Sequence, residues 1–127
     1  MPSPDKLSLI VQSGEFDRVH YALVLASAAL ATGKPVTLFF TMDGTRALTA
    51  GWADTAREAQ FEAAGLATFA ELLDACRELD ATFMVCEMGL RAAGLTADDL
   101  RPDIEIAEGS AVSFLSDASA TGAMLYI

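Results

Sequence analysis

Short apolar runs that alternate with helix-forming segments constrain the fold of this chain more than any other feature. The runs Lys6–Gln12, Pro35–Thr41 and Ala81–Cys86 have the length of a strand and carry apolar side chains at successive positions. This pattern is typical of strands buried on both faces, as in parallel sheets. Between the first two runs, one helical face is apolar and consists of Val19, Leu23, Ala26 and Leu30. A strand, a helix and a strand at this spacing predict a βαβ unit.

The rest of the chain continues the alternation. Thr68 and Glu71 form a capping-box pattern ahead of an apolar stripe, which predicts a helix from about Phe69 to Leu79. The segment Met42–Ala67, which several glycines interrupt, predicts one or two short helices in a long connection. The later elements are a helix over 88–93, a capped turn at 96–99, a strand at 104–106, a helix over 110–118 and a strand over 123–127. Together these elements predict one α/β domain over residues 1–127, a three-layer α/β/α sandwich with a mainly parallel five-stranded sheet.

The charge and hydropathy of the chain exclude two classes of partner. The chain has 8 Lys and Arg against 18 Asp and Glu, a net charge of −10. A surface of this sign repels nucleic-acid phosphates and anionic lipid headgroups. The longest apolar stretch, Tyr21–Ala31, is shorter than the roughly 18 residues of a membrane-spanning helix, and the first residues lack the pattern of a secretory signal. We therefore expect a cytoplasmic protein that binds neither nucleic acid nor membranes.

Two cysteines and a single histidine leave few options for chemistry. The spacing of Cys76 and Cys86 fits neither a disulfide framework nor a zinc motif, so both are expected to be thiols. Cys76 lies on the apolar stripe of its helix and is interpreted as an inert packing residue. Asp17 is placed to cap the first helix. His20 is interpreted as a solvated or capping residue, with a role at the same sheet edge as Cys86 as the alternative. Trp52 is interpreted as a residue that packs in a hydrophobic cluster, with a role in a lid or in a subunit contact as alternatives. No metal or cofactor is predicted.

The candidate site lies where the parallel strands end. Ligand sites of such folds lie at the carboxyl ends of the strands, which makes the residues that follow them candidates: Ser13, Gly14, Thr41, Gly44, Cys86, Glu87, Met88 and Gly89. Cys86 is the strong nucleophile of this set. Backbone N–H groups at the start of the next helix favour its thiolate, whereas Glu87 opposes it and Arg91 offsets Glu87 if its side chain folds back. The glycines are expected to let backbone amides approach a charged sulfur atom.

Several segments together resemble the DsrE/DsrF-like sulfur-relay proteins, and most of all their DsrE-like branch that is often labelled peroxiredoxin-like. The segments are Ser13–Arg18, Ala26–Thr41, Phe83–Leu90, Gly94–Thr96 and Ile106–Phe114. They follow in the same order over nearly the whole chain. The resemblance implies a three-layer α/β/α fold, assembly as a trimer or hexamer, and a persulfide carried on a cysteine at the end of a central strand. By position, that cysteine is Cys86.

One departure from that branch concerns the residues after the cysteine. The branch usually shows a Cys-x-Met-Ser type of sequence, whereas this chain has Cys86-Glu87-Met88-Gly89. The change bears on partner and substrate more than on fold.

The resemblance implies a cytoplasmic sulfur carrier or sulfurtransferase that takes a sulfane sulfur from a donor protein or thiosulfate and passes it to a protein thiol. The alternative is a non-catalytic subunit of a homo-oligomer, or a small-ligand-binding module, in which Cys86 only fills core space. A peroxide-reducing thiol enzyme is a third option, but the chain has no Pro-x-x-x-Thr-x-x-Cys motif and Cys76 is poorly placed to resolve a sulfenic acid.

Overall fold

A single sheet of five parallel strands forms the centre of the structure, a computed structural model that describes residues 3–127. Along the chain the strands are β1 Leu7–Val11, β2 Val36–Phe40, β3 Thr82–Cys86, β4 Ile106–Gly109 and β5 Ala123–Tyr126. Their order in the sheet is β4-β3-β2-β1-β5, and every neighbouring pair is parallel. The α/β prediction is confirmed, with a sheet that is wholly rather than mainly parallel.

Within residues 3–127, five α-helices and two 3-10 helices connect the strands. The α-helices are α1 Phe16–Ala31, α2 Thr55–Ala63, α3 Phe69–Glu78, α4 Glu87–Ala92 and α5 Ala111–Asp117. The 3-10 helices span Met42–Leu48 and Ala97–Asp99. The 42–67 connection therefore holds two short helices, as predicted.

The two faces of the sheet carry separate hydrophobic clusters. Alternate side chains of a strand point to opposite faces. On one face, residues such as Leu9 and Leu38 pack with Leu23 of α1 and Leu73 of α3 in the main core. The other face, here called the α5 face, carries a smaller cluster of Phe39, Met84, Cys86 and Phe114, with Ile10 packed against it. The sheet therefore lies between two helical layers, and Cys86 belongs to the layer of α5.

The helix starts show one prediction that is confirmed and one that is wrong. At α3, Thr68 accepts a hydrogen bond from the backbone N–H of Glu71 at 3.2 Å and completes the capping box. At α1, Asp17 lies inside the first turn and does not cap the helix, because Glu15 occupies the N-cap position. Asp17 instead pairs with Arg57 of α2 at 2.9 Å, and hydrogen bonds from Arg57 lower the pKa of Asp17.

Strand β4 begins later than the sequence predicts. Ile104 lies in the preceding loop, although it is buried in the main core, and the strand extends to Gly109. Ala107 pairs with Met84, and Gly109 pairs with Cys86. A buried loop residue and a strand residue give the same apolar signal in a sequence, which explains the shift.

A pocket beside Cys86

Cys86 is the last residue of β3, and helix α4 begins at the next residue. Its side chain points to the same face as that of Met84, two positions earlier in the strand. The residue is 8% exposed, so it is mostly covered, and it lines a pocket that is open to solvent. The sequence prediction of a cysteine at the junction of a central strand and a helix therefore corresponds to the structure.

An open pocket of about 600 Å³ adjoins Cys86. Its inner wall is apolar and consists of Ile10, Phe39 and Phe114, of which the last two stack with their ring centroids 4.8 Å apart. Leu115 of α5 extends the apolar wall to the rim, where it is 60% exposed. A molecule that reaches the sulfur atom of Cys86 from this pocket would therefore contact mostly hydrocarbon.

Two charged side chains of α4 lie at the rim of the same pocket. Glu87 and Arg91 form an ion pair with a 3.0 Å distance between nitrogen and oxygen, and both side chains are largely exposed. Arg91 thus folds back onto Glu87 in the way the sequence suggested. The negative charge next to the thiol is balanced at close range, although an exposed pair of this kind contributes little to stability.

The structure brings some of the predicted site residues together and separates others. Thr41, Glu87 and Met88 line the pocket beside Cys86. Ser13 and Gly14 line a different cavity, of about 910 Å³, at the ends of β1 and β5.

Gly89 does not line the Cys86 pocket either. Its role is to allow close packing, because a Cβ atom there would lie 2.5 Å from the backbone nitrogen of Met42.

The expectation that Gly44 offers its amide to a charged sulfur is wrong. Its N–H donates to the carbonyl oxygens of Gln12 and Thr41 at 2.9 and 3.0 Å. A Cβ atom at this position would lie 2.1 Å from the carbonyl oxygen of Val11. Glycine therefore allows the loop after β2 to pack closely against the end of β1.

Cys76 is more deeply buried than Cys86 and does not line the Cys86 pocket. Its side chain is fully buried on the inner face of α3, with the sulfur atom 3.9 Å from the carbonyl oxygen of Leu23. Burial raises the pKa of the Cys76 thiol to about 11. Both cysteines are free, and the prediction that Cys76 packs on the apolar stripe is confirmed.

His20 and Trp52 belong to the opposite side of the sheet. The interpretation of His20 as a solvated or capping residue is wrong, because the ring is buried, with its Nε2 atom 2.8 Å from the carbonyl oxygen of Ala67. It stacks on Phe61 at 4.2 Å. Trp52 packs against Phe16 and has no contact with the Cys86 pocket. These aromatic residues stabilise the α1 layer.

Among residues 3–127, no three His, Cys, Asp or Glu side chains converge as a metal site would require. None of the helices in this part of the chain combines the length and the hydropathy that a membrane-spanning helix needs.

Comparisons with known proteins address the fold and the family. No curated protein matches the chain by sequence. The crystal structure of the YchN protein from E. coli is similar with a TM-score of 0.68 and 12% sequence identity, covering 97% of this chain and 99% of YchN. This likeness concerns the fold alone. Residues 5–125, which are nearly the whole chain, match the DsrE/DsrF-like family. The chain therefore belongs to the DsrE/DsrF-like family, a family related to sulfur relay.

Proposed function

We propose that the protein is a cytoplasmic sulfur carrier that holds a persulfide on Cys86 and passes the sulfur to a protein thiol. The observation that supports this role most is the contrast between the two cysteines. Cys86 adjoins an open pocket at the carboxyl end of a central strand, whereas Cys76 is sealed in the core. Transfer of sulfane sulfur needs only a reachable thiolate and a good leaving group. A domain with one thiol at the centre of its candidate site can therefore carry out this transfer.

The chemistry balances without an oxidant or a reductant. The Cys86 thiolate attacks the outer sulfur of a donor persulfide, a bond forms between the two sulfur atoms, and the donor thiolate leaves with the electron pair of the broken S–S bond. With thiosulfate as donor, sulfite leaves in the same way. In the second half, an acceptor thiolate attacks the outer sulfur of the Cys86 persulfide, and Cys86 is released as a thiolate.

Intact-protein mass spectrometry tests the carrier role. After incubation with a persulfide or thiosulfate donor, we expect wild type and Cys76→Ala to gain one sulfur atom and Cys86→Ser to gain none. Adding a protein with a reduced thiol is expected to remove that mass from the carrier and add it to the acceptor. An equal gain in Cys86→Ser, or no gain in wild type, would end the proposal.

The alternative role, a non-catalytic subunit with a structural Cys86, has one observation in its favour. Cys86 is only 8% exposed and packs with Phe39, Met84 and Phe114. This role predicts slow alkylation of the native protein and unchanged partner binding in Cys86→Ala. Labelling kinetics therefore separate the two roles.

Self-association is proposed from the part of the α5 face that the helix leaves uncovered. Tyr126 pairs with Ile10 in the sheet and so points to this face, as does Met124 two residues earlier. They are 67% and 44% exposed. An apolar strand face at the edge of a sheet is a surface that monomeric proteins seldom leave open. A second copy of the chain is the proposed occupant.

Light scattering is expected to give the mass of a trimer or hexamer. The double change Met124→Lys and Tyr126→Lys places charge on the uncovered face and is expected to reduce the mass toward one subunit. Leu66→Lys, at a comparably exposed position in the loop between α2 and α3, should leave the mass unchanged. A monomeric wild-type protein would contradict self-association.

A further inference from the structure

We infer that the pocket beside Cys86 selects small sulfane-sulfur donors that carry an apolar organic group. The inference rests on the proposed sulfur-carrier function and specifies which donors the site accepts. It favours aryl and alkyl donors over inorganic anions such as thiosulfate. The arguments concern the size of the pocket, its lining and its charge.

The size of the pocket suits a small organic molecule. Its volume of about 600 Å³ falls inside the roughly 300–1,000 Å³ range of small-molecule sites. A thiosulfate ion would fill only a small part of this space. The remaining wall would stay in contact with water and would contribute nothing to binding.

The lining of the pocket is mostly apolar, and its charged side chains, Glu87 and Arg91, lie at the rim. Ile10, Phe39 and Phe114 form the base next to Cys86. At the rim, Leu115 and Met88 are 60% and 66% exposed. An aryl or alkyl group would cover these side chains, and each apolar area removed from water favours binding.

The charges at the pocket give no support to a donor whose binding depends on its negative charge. Arg91 is the cationic side chain in the lining that the structure describes, and it is already paired with Glu87 at 3.0 Å. The chain as a whole carries a net charge of −10. A dianion would therefore approach an acidic protein and find its nearest cation neutralised. Contacts between an apolar group and the pocket wall do not depend on these charges.

Thiosulfonates supply a matched pair of donors for the test. In the reaction, the Cys86 thiolate attacks the terminal sulfur of R–SO₂–S⁻, the new S–S bond forms, and R–SO₂⁻ leaves with the electron pair of the old bond. The product is the Cys86 persulfide anion. Benzenethiosulfonate and methanethiosulfonate carry the same charge and the same reacting atoms, so they differ mainly in the apolar group.

The experiment compares the rates at which the two donors add one sulfur atom to the wild-type protein, measured by intact mass. N-acetylcysteine under the same conditions gives the intrinsic ratio of the two rates. We expect the protein to exceed this ratio by about tenfold or more, because a phenyl ring removes several carbons from water and a methyl group only one. Leu115→Ser should lower the excess by about fivefold, since it removes an apolar side chain from the rim.

Val112→Ser is the matched control. Val112 is on the same helix and 75% exposed, but it does not line the pocket, so the donor ratio should not change. A wild-type ratio equal to that of N-acetylcysteine would overturn the inference and leave the pocket to a second copy or a protein donor. The carrier role would survive that outcome. If neither thiosulfonate loads Cys86 but a persulfide donor protein or thiosulfate does, the inference fails and the carrier role stands; if none of these donors loads Cys86, the carrier role itself fails.

Discussion

Iodoacetamide is expected to label Cys86 of the native protein at least about a hundredfold faster than Cys76. The thiolate is the reactive form, and a thiol with a pKa of about 11 is ionised to only about one part in a thousand at pH 8. The Cys76 sulfur atom also has no exposed surface, so it can react only when the structure opens. Peptide-resolved mass spectrometry at successive times measures both rates in one sample.

Unfolding the chain provides the control for this result. In concentrated urea both thiols are solvated, and the two rates should converge. As the pH rises toward 11, labelling of Cys76 through brief opening should increase, because more of the thiol is ionised. Comparable rates in the native protein at pH 8, or faster labelling of Cys76, would contradict the contrast between a reachable and a sealed cysteine.

Replacing Gly89 by alanine is expected to destabilise the protein by about 2–3 kcal/mol. Helix propensity alone predicts the opposite sign, because alanine in a helix is favoured over glycine by about 1 kcal/mol. The added Cβ would lie 2.5 Å from the backbone nitrogen of Met42 and 2.8 Å from the Cα of Thr41. Both contacts are with backbone atoms, so α4 must move away from the loop after β2.

Urea unfolding of the two proteins measures the effect. The neighbouring change Met88→Ala, at a position 66% exposed on α4, should alter the free energy of unfolding by no more than about 0.5 kcal/mol. Because α4 begins directly after Cys86, the Gly89→Ala protein should also accept sulfur more slowly. A Gly89→Ala protein as stable as wild type would show that α4 does not depend on this close contact.

Local patterns predicted the elements, because each strand and helix signal is contained in a few neighbouring residues. The Thr68 and Glu71 pair marks the start of α3, and the apolar run that ends at Cys86 marks β3. The same patterns could not identify the walls of the pocket. In β2 the side chains of both faces are buried and Leu38, Phe39 and Phe40 are apolar in succession, so the sequence does not tell which face Phe39 takes.

Long-range contacts explain the predictions that were wrong. His20 contacts Phe61 and Ala67. Both residues belong to a connection without clear periodicity, so the sequence did not predict that they would bury the ring. Ser13 follows β1 and Cys86 is the last residue of β3, both at the carboxyl ends of the strands, but β2 lies between β1 and β3. Sharing an edge therefore did not place these residues in one pocket.

The position of the sulfur atom after loading tests the central claim most directly. The protein is treated with a limiting amount of donor under native conditions, digested without reduction, and each cysteine peptide is measured by mass spectrometry. We predict one added sulfur atom on the peptide that contains Cys86 and an unmodified Cys76. Sulfur on Cys76, or sulfur on Cys86 only after urea has unfolded the chain, would contradict the claim that Cys86 is open to chemistry in the folded protein.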